Sequence, residues 1–200
     1  MAHEREEDFL RVLRWMRENV DLCSSIYRTR AQGAAVDSAV KVDTNGNPRR
    51  SGMGRPIDYD DSYLNSVVGL TCCCYMDALG KVDLRGNSGY RLNTFAEEHM
   101  ADLKAECNTK GDPYSLQTLY KVYRCGFVHQ FASSDMAWTR EGGRSGAYWF
   151  TAPNGKPVLN VDRLAEGTVR GIDNFEAWFK SQTAAGPTTY KDFFKWLDTA

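Results

Sequence analysis

The sequence predicts a mainly α protein: an antiparallel helical bundle with a small β-hairpin near its C-terminus. Two observations predict the bundle. Apolar residues recur at three- and four-residue steps through several long stretches, as in Phe9, Val12, Leu13, Met16, Val20 and Cys23. Glycine, proline and asparagine punctuate the gaps between those stretches. A third observation predicts the hairpin. Ala147–Thr151 and Pro157–Val161 are β-prone runs flanking Asn154-Gly155, a strong turn pair.

The chain has 200 residues, of which 42% are apolar and 26% charged, so residues 1–200 read as a single domain with a core large enough to need no covalent staples. Five Trp, ten Tyr and nine Phe give that core much ring area. The net charge of −1 argues against a protein that coats nucleic acid in bulk. Any anion site must therefore be local.

The first helix is expected over about Glu4–Tyr27, with an acidic start matched to the helix dipole. Arg11, Arg14 and Arg17 fall on its solvent side. Residues 30–56 contain Gly33, Gly46, Pro48, Gly52 and Gly54 and read as a mobile loop. Ala39–Val42 before Asn45-Gly46 allows a small hairpin there, and Arg49, Arg50 and Arg55 offer a secondary place to meet phosphate. Gly52-Met53-Gly54 lacks the Gly-Lys-Ser/Thr end of a P-loop.

A second helix, about Asp60–Leu79, is apolar on most sides and so is expected at the centre, with Gly80 ending it. Asp77 lies on it, and a carboxylate there needs a partner if buried. A third helix is expected from Thr94, where Thr94-x-x-Glu97 forms a capping-box pattern. His99 sits near its inward face and reads as a packed core histidine. Asp112-Pro113 reads as the N-cap and first residue of a fourth helix, with Leu116, Leu119, Tyr120 and Tyr123 as its buried stripe. Ala132–Ser145 reads as a loop. Helices over about Asp162–Ser181 and Thr188–Asp198 follow the hairpin, the first weakened by Gly167 and Gly171.

Cys23, Cys72, Cys73, Cys74, Cys107 and Cys125 form no C-x-x-C pair and no zinc spacing with histidine. They read as small buried apolar residues in a reducing compartment. Nothing in the pattern points to a metal or cofactor. The N-terminus shows no secretory signal, and the longest apolar run, about Val67–Met76, is too short to cross a membrane. A cytoplasmic location is expected.

The candidate site is Tyr120–Phe131, which holds Arg124 and His129 with four residues between them. On an ideal helix, residues five apart sit about 140° apart around the axis, on different faces. Gly126 weakens the helix between them, and a bend there can turn both toward one cleft. Guanidinium offers a permanent charge and a fork of donors, and imidazole changes protonation near neutral pH. Together they can cleave RNA without metal. They can equally anchor one helix to its neighbours.

The stretch Leu119-Tyr120-Lys121-Val122-Tyr123-Arg124, ending at His129, resembles the Arg-x4–6-His motif of the HEPN superfamily. Leu70–Gly80 resembles the packing helix that precedes the motif helix in some bacterial members. The resemblance covers about Asp60–Phe131. It implies a HEPN-like helical bundle, Arg124 and His129 as catalytic residues, and a metal-independent endoribonuclease of a defence or stress system. It also implies a homodimer through the motif helix and an RNA or nucleotide ligand. Members usually carry a polar residue directly after the arginine, and here that residue is Cys125. The alternative is a non-catalytic HEPN-like binding or regulatory module in which Arg124 and His129 are structural.

Overall fold

The structure is a computed structural model, and it describes residues 2–33, 59–82, 91–125, 137–140 and 143–184. The described part of the loop expected over 30–56 is helical as far as Gly33. The rest of it, the expected helix over 188–198, Gly126 and His129 lie outside the described residues.

Helix α1 (Ala2–Gly33) outruns its expected span at both ends. The stretch Arg28-Thr29-Arg30-Ala31-Gln32 contains mostly good helix formers, and no glycine or proline interrupts the chain before Gly33. Phe9, Leu13 and Val20 enter the core, whereas Val12 stays on the surface. Helix α2 (Tyr59–Val82) buries Val68, Cys72, Cys73, Met76 and Leu79, as expected of a central helix. Gly80 does not end it. A Cβ there would sit 1.7 Å from the Arg91 carbonyl oxygen, so glycine at this position lets the start of helix α3 (Arg91–His99) lie against α2.

Helix α3 begins three residues before the capping box, and Thr94 lies within it. Burial of Leu92 and Asn93 extends the packed face upstream, and packing outweighs the cap. At Met100 the backbone leaves helical geometry (φ −125°, ψ 65°), and α4 (Ala101–Lys110) continues in a new direction. Phe95, Met100 and Leu103 are all buried, as the spacing predicts.

Asp112-Pro113 is a cis peptide in a turn rather than a helix start. The cap is Ser115, whose hydroxyl accepts from the Thr118 N–H at 3.2 Å. Helix α5 opens at Leu116–Thr118 and widens directly into a π-helical segment, Leu119–Cys125, which is counted as its second part.

The expected hairpin forms from β2 (Trp149–Thr151) and β3 (Pro157–Asn160), antiparallel with Trp149 opposite Leu159. The region read as a loop contributes a further strand, β1 (Trp138–Thr139), parallel to β3, and a 3-10 turn at Gly143–Ser145. The sheet order is β1-β3-β2. Glu106 of α4 holds β2 from the side, accepting from the backbone N–H of Tyr148 at 2.8 Å and of Trp149 at 2.9 Å.

Helix α6 (Val161–Ala184) follows β3 without a loop. Buried Asn160 makes the junction: its Nδ2 donates to the Gly143 and Ala147 carbonyls and its Oδ1 accepts from the Arg163 N–H. Gly167 does not weaken α6. It admits the Tyr148 ring, whose hydroxyl would lie 2.1 Å from a Cβ there. That hydroxyl donates to Asp102, which also receives Arg163 and Arg170. Partly buried Arg140 similarly joins Asn65 of α2 to Asp162 of α6.

Arg17 is not on a solvated face. It reaches across to α6 and pairs with Asp173 and with Glu176, the latter at 2.7 Å. Burial pushes the Glu176 carboxyl up, but Lys180 and Arg17 outweigh it and hold the pKa below 4.5. A folded-state pKa lowered in this way adds stability above the ordinary carboxylate range, and that stability is lost as pH falls through the folded value. Glu176→Gln should therefore destabilise the protein at pH 7. The deficit relative to the parent should shrink as pH falls below the ordinary carboxylate range, as followed by urea melts across that range. Gly80→Ala should cost about 2–3 kcal/mol, read as a lower denaturation midpoint at unchanged slope.

Candidate functional site

Arg124 sits one residue from the end of the π-helical segment. Backbone hydrogen bonds there close at i→i+5, which widens the turn, and such turns recur at functional sites. The unwinding thus lies within Leu119–Cys125, upstream of Gly126, where the sequence places the bend. Tyr123 fixes this segment. Its ring is buried against Trp138 at 4.8 Å and Trp149 at 5.6 Å, and its hydroxyl lies 3.0 Å from the Ala137 carbonyl and 3.1 Å from that of Pro157. Burial pushes the phenol well above its ordinary pKa, so it stays a neutral donor.

At the next residue, the Arg124 guanidinium points to Asp77 of α2. An amino group donates to Asp77 Oδ2 at 2.8 Å. The two side chains are 24% and 18% exposed, so the pair is partly screened and partly open. The expectation that Asp77 needs a partner is met by this arginine. Burial alone would lower the Arg124 pKa, but hydrogen bonding and attraction to Asp77 overcome it and raise the pKa above its ordinary value. The guanidinium carbon stands 5.8 Å from the centre of the Tyr120 ring, within cation–π range. The neighbouring Cys125 thiol helps to raise the pKa of both the Tyr120 hydroxyl and Arg124. The Nε of Arg124 is buried and has no hydrogen-bond partner among the described residues.

The structure therefore places one of the two predicted site residues. Arg124 is fixed at the α2–α5 junction, while His129 lies outside the described residues, and the convergence expected of the pair lies there with it. Chemically, the arrangement is a cation with one donor committed to a carboxylate. Its remaining outward N–H groups can meet a second anion, in competition with Asp77 for the same charge.

His99 is where the sequence puts it, buried and packed on Phe95, Phe175 and Trp178. The cysteines are free thiols, with Cys72, Cys73 and Cys107 buried. Burial pushes the Cys72 thiol up to about 12, which leaves it inert at neutral pH. Cys74 departs from the expectation and is exposed, because three consecutive helical positions cannot all face inward. Among the described residues, no group of three His, Cys, Asp or Glu side chains could hold a metal ion, and no helix is long and apolar enough to cross a membrane.

If the pair ties α5 to α2, Asp77→Ala and Arg124→Ala should each destabilise the protein, and the double variant should lose less than the sum. The coupling should be about 1 kcal/mol, a modest value because water screens a half-open pair. Chemical denaturation of the four proteins in the cycle measures it.

No family model, curated protein or solved structure matches the chain.

Proposed function

We propose that the chain is a HEPN-like protein acting as a metal-independent endoribonuclease in the cytoplasm, in a defence or stress system, with Arg124 and His129 as its catalytic residues. One observation carries the reading. Arg124 is presented at the end of a π-helical turn, oriented by Asp77 through one amino group and still 24% exposed, rather than being consumed in the core.

In this mechanism His129 takes the proton of the ribose 2′-hydroxyl. The 2′-oxygen attacks phosphorus, the bond to the 5′-oxygen breaks, and that oxygen leaves with a proton from solvent or a second histidine. The products are a 2′,3′-cyclic phosphate and a 5′-hydroxyl. Arg124 stabilises the charge that grows on the non-bridging oxygens, which is electrostatic catalysis added to general base catalysis. Asp77 restrains the guanidinium and lowers the entropy lost when it meets phosphate. Two copies paired through the motif helix would supply two such sets to one RNA.

A second reading rests on the same ion pair. Asp77 already neutralises Arg124, and Cys125 stands where related motifs carry a polar group. The pair then serves only to lock α5 onto α2, in a non-catalytic module that binds RNA, a nucleotide or a regulatory partner.

The two readings part on one experiment. The purified protein is incubated with single-stranded RNA in excess chelator, and the ends of the fragments are identified. The nuclease reading expects cyclic-phosphate ends and a rate loss of about 10²- to 10⁴-fold in His129→Ala, with the melting temperature unchanged. RNA left intact by the parent protein, or cut equally well by His129→Ala, would leave the non-catalytic module standing.

A further inference from the structure

The π-helical segment carries two tyrosines, and they are used differently. Tyr123 is buried between Trp138 and Trp149. Tyr120 rests on the edge of the core and keeps part of its ring in solvent. Among the described residues no second aromatic ring packs on it. The Arg124 guanidinium carbon stands 5.8 Å from the ring centre. That is beyond the stacking separation of about 3.5–4.0 Å, so the cation borders the ring without lying flat on it. Ring and guanidinium sit on one segment that Tyr123 anchors, so both are ordered before a ligand arrives.

The charge of the site limits what that ligand is. Asp77 meets Arg124 at 2.8 Å, and the pair as a whole is neutral. It therefore has little Coulomb attraction for a dianion such as inorganic phosphate or a terminal phosphomonoester. A phosphodiester brings a single charge, but it too needs attraction from elsewhere. Stacking on an open ring supplies attraction that carries no charge. We propose that Tyr120 is a stacking platform for a base of a single-stranded nucleic acid, and that Arg124 takes a phosphodiester of the same strand. The proposal rests on the reading of Arg124 as a phosphate-binding group and adds the form of the ligand, an unpaired run of nucleotides. A duplex hides its base faces within its own stack, whereas an unpaired base can be splayed onto a ring. The platform does not distinguish ribose from deoxyribose, a choice that belongs to the chemistry of the 2′-hydroxyl described above.

The test measures binding and not cleavage. The probe is a fluorescent single strand of about twelve 2′-O-methyl nucleotides, which cannot form a cyclic phosphate. Anisotropy should show it bound by the parent protein, and bound about tenfold less well once annealed to its complement. Tyr120→Leu should weaken single-strand binding about 5- to 100-fold, and Tyr120→Phe by less than about twofold. Because Tyr120 also touches the core, the same loss is sought with the protein unchanged: a strand of abasic nucleotides, which keeps every phosphate, should bind weaker by a similar factor. Inorganic phosphate at constant ionic strength should not displace the intact strand. The proposal is overturned if the single strand is not bound, if the duplex or the abasic strand binds as well, if phosphate displaces the strand, or if folded Tyr120→Leu binds like the parent. A protein that binds as expected yet leaves ordinary RNA uncut refutes the nuclease reading alone. One that cuts RNA but is indifferent to Tyr120 and to abasic substitution refutes this proposal alone.

Discussion

The position of Tyr123 is the constraint on which the candidate site depends. A phenol cannot be buried without a partner for its hydroxyl, at a cost of about 1–3 kcal/mol if none is found. Here the hydroxyl lies between two carbonyls, one entering β1 and one opening β3. The ring meanwhile fills the space between Trp138 and Trp149. The sheet is only three short strands, and the π-helical segment has irregular hydrogen bonding. Neither is a strong scaffold alone. Joined through Tyr123, each limits the freedom of the other. Arg124 follows directly in the chain, so its direction toward α2 is inherited from the anchor before it.

That inheritance shapes the electrostatics. A guanidinium at a helix junction could be steered by solvent or by any nearby acid. Asp77 is presented by α2, whose opposite side carries Val68, Cys72 and Met76 into the core, so α2 cannot rotate to withdraw it. The ion pair is therefore set by packing on both partners. A pair fixed in this way loses little side-chain entropy, unlike most surface pairs. The same rigidity gives it two uses. It closes α5 onto α2, and it holds the outward donors of Arg124 in one orientation for whatever anion approaches.

Periodicity made the long elements legible. Val68, Cys72, Met76 and Leu79 announce a central helix, Leu164, Ile172, Phe175 and Phe179 an amphipathic one, and Asn154-Gly155 a hairpin. Each of these signals is local and has no strong competitor. What the sequence hid is set by contacts distant along the chain. Gly80 looks like a helix stop, and only the approach of the Arg91 carbonyl shows why it continues. Thr94 and Glu97 form a valid cap that burial of Leu92 overrides. Asp112-Pro113 competes with Ser115 to open α5, and Ser115 wins because its hydroxyl meets a backbone N–H. Strand β1 is two residues long, too short to show alternation, and exists because β3 offers it an edge. At the site, Asp77 was legible as a carboxylate in want of a partner, and Arg124 as a cation in an apolar helix. That each answers the other depends on the π-helical turn, which no spacing rule reveals.

Helix α2 is what separates the Arg124 site from α1. Tyr75 and Asp77 are two residues apart, or about 200° around the axis. One therefore meets α1 beside Trp15 and the other meets α5 at Arg124, with Cys72, Cys73 and Met76 filling the interior between them. A contact on the α1 side cannot cover Arg124 directly. It could reach the site only by moving α2 as a body. That helix is held by close packing against α3 at Gly80 and by Asn65, which Arg140 ties to Asp162. Close-packed helices resist small displacements and pass strain on as a unit, so only a shift of α2 as a body links the two faces.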